Sequence, residues 1–206
     1  MDSILQYLTL DRTLEISGFL IGLLYLWWEY HADPKMWFAN IAMPTVSFWI
    51  YYRAGLYADF AMNCYYFVMA IYGYIVWTMG LRKHGAAAKA ITSMGWERLL
   101  VMAPVFALIY AALTYWLVEW TDSTVPYWDA FTTAMSIVAT WMLARKYLEQ
   151  WLAWIAVDAV CVGLYWYKDR PFYALLYLLY TVIAVFGYMK WRRMMKAQAT
   201  SAESAR

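Results

Sequence analysis

An aspartate stands in the middle of an otherwise apolar run, "WLAWIAVDAVCVGLYWY", residues 151–167. On membrane-insertion scales a central Asp costs about 2.5–3.5 kcal/mol, so Asp158 needs a partner or a task. Trp151, Trp154, Asp158, Cys161 and Tyr165 recur at i, i+3, i+7, i+10 and i+14, one stripe of an α-helix. Tryptophan faces attract cations through the ring quadrupole. A carboxylate one turn away neutralises charge. The chemistry that suits this set is the holding of a flat organic cation. The plainer alternative makes Trp151 an interface anchor and gives Asp158 a buried hydrogen-bond donor.

A second polar stripe, Asp59, Asn63 and Tyr66, continues into Ala70, Gly73 and Tyr74, residues small enough in part for close helix packing. Asn63 and Tyr66 are candidate ligand contacts, with hydrogen bonds between helices as the alternative; Asn40 is a weaker candidate. Thr132, Thr133, Ser136 and Thr140 suit bonds to their own helix backbone equally well. No GxxxxGK[ST] loop, HExxH or CxxC occurs, which argues against ATP drive and against a metal site. The two histidines, His31 and His84, fall at helix ends or in loops. Lys190 lies at the end of the last apolar run, so no mid-span lysine is available for a Schiff base. No enzyme, cofactor, metal or nucleic-acid partner is expected.

These residues must be carried by membrane helices. The chain of 206 residues is 65% hydrophobic and 15% charged, against about 25% charged in soluble domains. Apolar runs long enough to span a bilayer fall at roughly 14–30, 36–52, 56–79, 99–120, 129–144, 149–167 and 171–191. The expected fold is an all-α integral membrane protein with seven transmembrane helices. Placing the C-terminus in the cytoplasm puts twelve Lys and Arg inside, with clusters at Arg82–Lys83, Arg145–Lys146 and Arg192–Arg193. Four remain outside: Arg12, Arg53, Lys168 and Arg170. The positive-inside rule therefore sets the N-terminus outside.

The chain also repeats. Residues 27–77 shifted by 114 positions fall on 141–191 with thirteen identities in 51 positions, among them Trp37/Trp151, Ala39/Ala153, Tyr66/Tyr180, Ala70/Ala184, Gly73/Gly187 and Trp77/Trp191. Pro44 falls opposite Asp158. Two three-helix repeats, 1–79 and 121–191, are expected, joined by a cytoplasmic loop at 80–98 and a linker helix at 99–120. The tail, 192–206, is expected to be polar and disordered. An odd linker gives both triplets one orientation, a parallel repeat of the kind that binds substrate between halves. Its alternative is a packing unit in a scaffold.

"GLYADFAMNCYYFVMAIYGYIVW" and "SIVATWMLARKYLEQWLAWIAVDAV" resemble the Pnu family of vitamin transporters, over nearly the whole chain. The resemblance implies a 3+1+3, SWEET-like arrangement and a homotrimer in a bacterial inner membrane. It implies facilitated diffusion, with the vitamin trapped by a cytoplasmic kinase, and a substrate site that includes the WxxW pair, Trp151 and Trp154. This chain departs at two positions: Asn63 stands where nicotinamide riboside transporters often carry Gln, and Asp158 where they often carry Asn. The Asn63 form resembles relatives tied to thiamine uptake. Nicotinamide riboside and thiamine are both flat cations, and the stripe fits either. The competing expectations are a carrier of a neutral sugar and a non-transporting receptor or scaffold.

Overall fold

The computed structural model of the chain describes residues 21–53, 57–83 and 90–204. The start of the first expected span, Arg12, His84 and Arg206, and the side chains of Arg53, Asp59, Arg82 and Lys83, lie outside what is described. Among the described residues there are seven helical segments: α1 over 21–30, α2 Met36–Arg53, α3 Tyr57–Lys83, α4 Trp96–Trp120, α5 Pro126–Ala144, α6 Gln150–Tyr167 and α7 Pro171–Ser204. The chain divides into two compact units, Met1–Lys83 and His84–Arg206. In the first, α2 packs on α3. In the second, α4 packs on α5, α5 on α6 and α6 on α7.

By length and composition, three stretches among the described residues can cross a membrane: Phe60–Met79, Trp96–Trp120 and Pro171–Ser201. Three of the other four expected spans form helices of 18 or 19 residues, α2, α5 and α6. Their Trp, Tyr, Ser and Thr content lowers mean hydropathy. α4 buries none of its residues. Its 25 residues rise about 37 Å at 1.5 Å each, against a hydrocarbon layer of about 30 Å. Exposed Trp96 and Trp120 bracket it, where indole rings favour the two membrane interfaces.

The repeat has a physical basis. In the first unit the Trp37 ring lies over Gly73, where a Cβ would come within 2.3 Å of Trp37 Cζ2, and meets Trp77 edge-on at 5.5 Å. In the second unit, Trp151 lies over Gly187, where a Cβ would come within 2.6 Å of Trp151 Cη2, and meets Trp191 edge-on at 5.7 Å. The four tryptophans are at most 2% exposed, and Ala39/Ala153 and Ala70/Ala184 are buried beside them. All of these pairs differ by 114 in number. The turns repeat as well: Ala32 and Lys146 are both left-handed, with φ of 53° and 60°. One wedge of Trp, Gly and Trp thus fixes α2 to α3 and, separately, α6 to α7.

Two boundaries differ from the sequence reading. α4 begins at Trp96, inside the expected loop, and the end of that loop is ordered against the second unit. Thr92 N–H donates to Lys146 O at 3.1 Å and Leu148 N–H donates to Thr92 O at 3.0 Å. α7 runs on to Ser204, through most of the expected tail. The sequence "KAQATSAES" is rich in helix formers, and Gln198 Oε1 accepts a bond from Ile91 N–H at 3.0 Å.

Candidate substrate-binding site

Asp158 is the ninth of the 18 residues of α6 and 7% exposed. Among the described residues it makes no hydrogen bond and no ion pair. Its electrostatic neighbours are Cys161, one turn along α6, and Tyr177 and Tyr180 on α7. Tyr165 bonds Tyr177 and stacks on it at 5.1 Å and 9°; Tyr173 also stacks on Tyr165, at 5.3 Å and 24°. Trp154, one turn before Asp158, is half-buried, and its indole Nε1 is shielded with no acceptor among the described residues. A further turn back, Gln150 is wholly buried, and neither its Oε1 nor its Nε2 has a partner among the described residues. Gln150, Trp154 and Asp158 are spaced i, i+4, i+8 and share a face of α6.

This face offers a carboxylate, an indole N–H and several aromatic rings. A cationic ring can meet two of these: charge against Asp158, and π-faces from Trp and Tyr. Trp151 stands apart from them. It fills the space left by Gly187 and repeats the packing of Trp37, with its own Nε1 buried and without an acceptor among the described residues. On α5 two of the four Ser and Thr hydroxyls turn to their own helix: Thr132 Oγ1 donates to Trp128 O and Asp129 O, both at 3.1 Å, and Thr140 Oγ1 donates to Ser136 O at 2.7 Å.

The first unit gathers a different set. Tyr25 on α1 is hydrogen-bonded to Glu29 and to Asn40, and Tyr66 on α3 is its electrostatic neighbour. Glu29 is 2% exposed. Asn40 and Tyr66 are therefore brought together around Tyr25. Asn63 is half-buried on α3, one turn from Tyr66. α2 runs unbroken through Pro44, which is buried. The six candidates thus divide equally: Asn40, Asn63 and Tyr66 in the first unit, Trp151, Trp154 and Asp158 in the second.

Sequence reasoning missed Tyr25, Glu29, Gln150, Tyr177 and Tyr180. The signal for two of them was present. Moving Asn63 and Tyr66 by 114 lands on Tyr177 and Tyr180, and Tyr66/Tyr180 is one of the identities. Glu29 follows the second Trp of "WWEYHAD", where it reads as the polar end of a span.

The chain is similar to several known transporters. A nicotinamide riboside transporter PnuC of Escherichia coli (strain K12) is 25% identical over 201 residues, covering 86% of this chain and 84% of its own. The same transporter of Neisseria mucosa is 30% identical over 174 residues, 74% of this chain and 62% of its own. A riboflavin/roseoflavin transporter RibM of Streptomyces davaonensis is 25% identical over 182 residues, 86% and 83%. The crystal structure of the vitamin B3 transporter PnuC superimposes with a TM-score of 0.65 at 21% identity, covering 87% of this chain and 80% of that one, and so shares its fold. The nicotinamide mononucleotide transporter profile matches residues 12–193, and with this match across most of its length the chain belongs to that family of membrane vitamin transporters.

Proposed function

We propose that the protein takes up a water-soluble cationic vitamin, of the nicotinamide riboside or thiamine kind, by facilitated diffusion. Asp158 pairs with the positive ring, and Trp154, Tyr177 and Tyr180 line it. Trp151 supports that face from behind by holding α6 on α7. In the first unit, Asn40 and Tyr66 form a polar set of their own around Tyr25, with Asn63 one turn from Tyr66. The observation that carries this reading is a buried carboxylate, Asp158, with no hydrogen-bond or ion-pair partner among the described residues. A buried charge is expensive unless paired, and a cationic substrate would supply the partner.

The remaining features of this proposal follow from charge placement and from the family resemblance. They are a 3+1+3 division of helices, an outer N-terminus, a cytoplasmic C-terminus, a homotrimer in the inner membrane, and capture of the vitamin by a cytoplasmic kinase. A second reading has support in one relative, the riboflavin/roseoflavin transporter. Its named substrate is a flat ring without a fixed positive charge, which aromatic walls alone could hold. Uptake into proteoliposomes with competitors separates the readings. Competition by nicotinamide riboside or thiamine, with none by riboflavin or glucose, supports a cation site. Stronger competition by riboflavin supports the neutral-ring reading, competition by glucose a sugar carrier, and absence of any flux a receptor or scaffold.

A further inference from the structure

Glu149 opens α6, and its backbone carbonyl accepts the first helical bonds, from Leu152 N–H at 3.0 Å and Ala153 N–H at 3.2 Å. A side-chain oxygen at a helix-opening position can accept a bond from the first turn, as Ser, Thr, Asp and Asn commonly do. Glu149 makes no such cap bond. Its carboxylate reaches instead to the segment ahead of α4, where it accepts bonds from Ser93 Oγ and from Met94 N–H, the latter at 2.8 Å. That segment is a strap held from several sides. Thr92 pairs with the turn at 146–148, Ile91 N–H donates to Gln198 on α7, and Met94 packs on Val138, Met142 and Tyr147. The Arg98 guanidinium lies over the Tyr147 ring at 5.5 Å. One residue therefore joins the first turn of α6, through its backbone, to a strap anchored on α5 and α7, through its side chain.

We infer that Glu149 is a positioning residue for the face that carries Trp154 and Asp158. It acts through the helix, since those residues lie about 7.5 and 13.5 Å further along the axis at 1.5 Å per residue. Two bonds to a charged acceptor are stronger than neutral ones and stop the first turn from fraying or tilting. A misplacement of about 1 Å is enough to weaken a site of this kind. The inference rests on the reading of α6 as the substrate helix.

Glu149→Ala removes both bonds. Glu149→Gln keeps an acceptor for Met94 N–H and offers its amide to Ser93 Oγ. Ser93→Ala removes one bond and serves where Glu149→Ala fails to fold. The expected result for Glu149→Ala is faster amide exchange at Met94 and in the first two turns of α6, and a rise of about tenfold in the KM for uptake, equivalent to about 1.4 kcal/mol. The maximal rate should hold, Glu149→Gln should restore KM, and Ser93→Ala should move it part of the way. Loss of maximal rate with KM unchanged, a Gln variant no better than Ala, or unchanged exchange would each overturn the inference. If the wild-type protein takes up no cationic vitamin, the proposed substrate fails by itself. Exchange then decides the positioning role: faster exchange confined to Met94 and the start of α6 supports it, and unaltered exchange overturns it.

Discussion

Asp158 and Gln150 sit two turns apart on one face of α6, and both carry polar atoms that the described residues leave unmatched. An unmatched buried polar atom costs about 1–3 kcal/mol. For Gln150 no ligand need be invoked, because an amide replaced by an apolar group of similar shape loses only that cost. Gln150→Met is therefore expected to hold or raise the thermal midpoint of the purified protein, by up to about 1–3 kcal/mol in stability. A clear fall in the melting temperature would show that the amide has a partner, such as a buried water. Asp158 and Trp154 were legible in the sequence because a charge in an apolar run stands out and helical spacing places its neighbours. Tyr177 and Tyr180 were not singled out: with 20 tyrosines in the chain, any one of them reads as an interface residue until packing shows what it faces. Trp151 shows the converse. Its spacing put it on the ligand stripe, while its ring is taken up by Gly187 and Trp191.

At the level of helices, the two wedges explain why particular residues recur at an offset of 114. Gly73→Ala and Gly187→Ala each place a methyl inside a buried indole that has nowhere to move. Overpacking of this kind costs about 1–3 kcal/mol, so each should lower the melting temperature. An alanine at exposed Gly163, which meets nothing within 4 Å, should not. Equal melting temperatures for all three variants would remove the wedge as the reason for the repeat. The helices and the repeat could be read early because apolar runs and identities at a fixed offset are local in sequence. The strap was not readable. Its bonds join residues 55, 56 and 107 positions apart, from Met94 and Ser93 to Glu149 and from Ile91 to Gln198, and no periodicity marks them. Hydropathy ended α7 near 191 because it detects spans, and this helix continues in polar residues of good helix propensity.

For the whole molecule, the proposed orientation places Trp120–Pro126 outside the cell and Gln198 inside. Single cysteines at Ser123 and Ser201, labelled in intact cells with a membrane-impermeant maleimide, should react at Ser123→Cys and stay protected at Ser201→Cys until the cells are opened. The reverse pattern would invert the proposed direction of the site. The chain is similar to transporters named for nicotinamide riboside and for riboflavin, so kinship does not select between a charged and an uncharged ring; the proposed pairing with Asp158 would. The most direct measurement is a titration of purified wild-type protein and Asp158→Asn with nicotinamide riboside, thiamine and riboflavin. If the carboxylate pairs with a cationic ring, the wild type binds one of the two cations, and the Asn variant, still folded, binds it roughly 10- to 150-fold more weakly, the loss of a charged hydrogen-bonding partner worth about 1.5–3 kcal/mol. Equal affinity for the cation in both proteins, or binding of riboflavin alone, would contradict it.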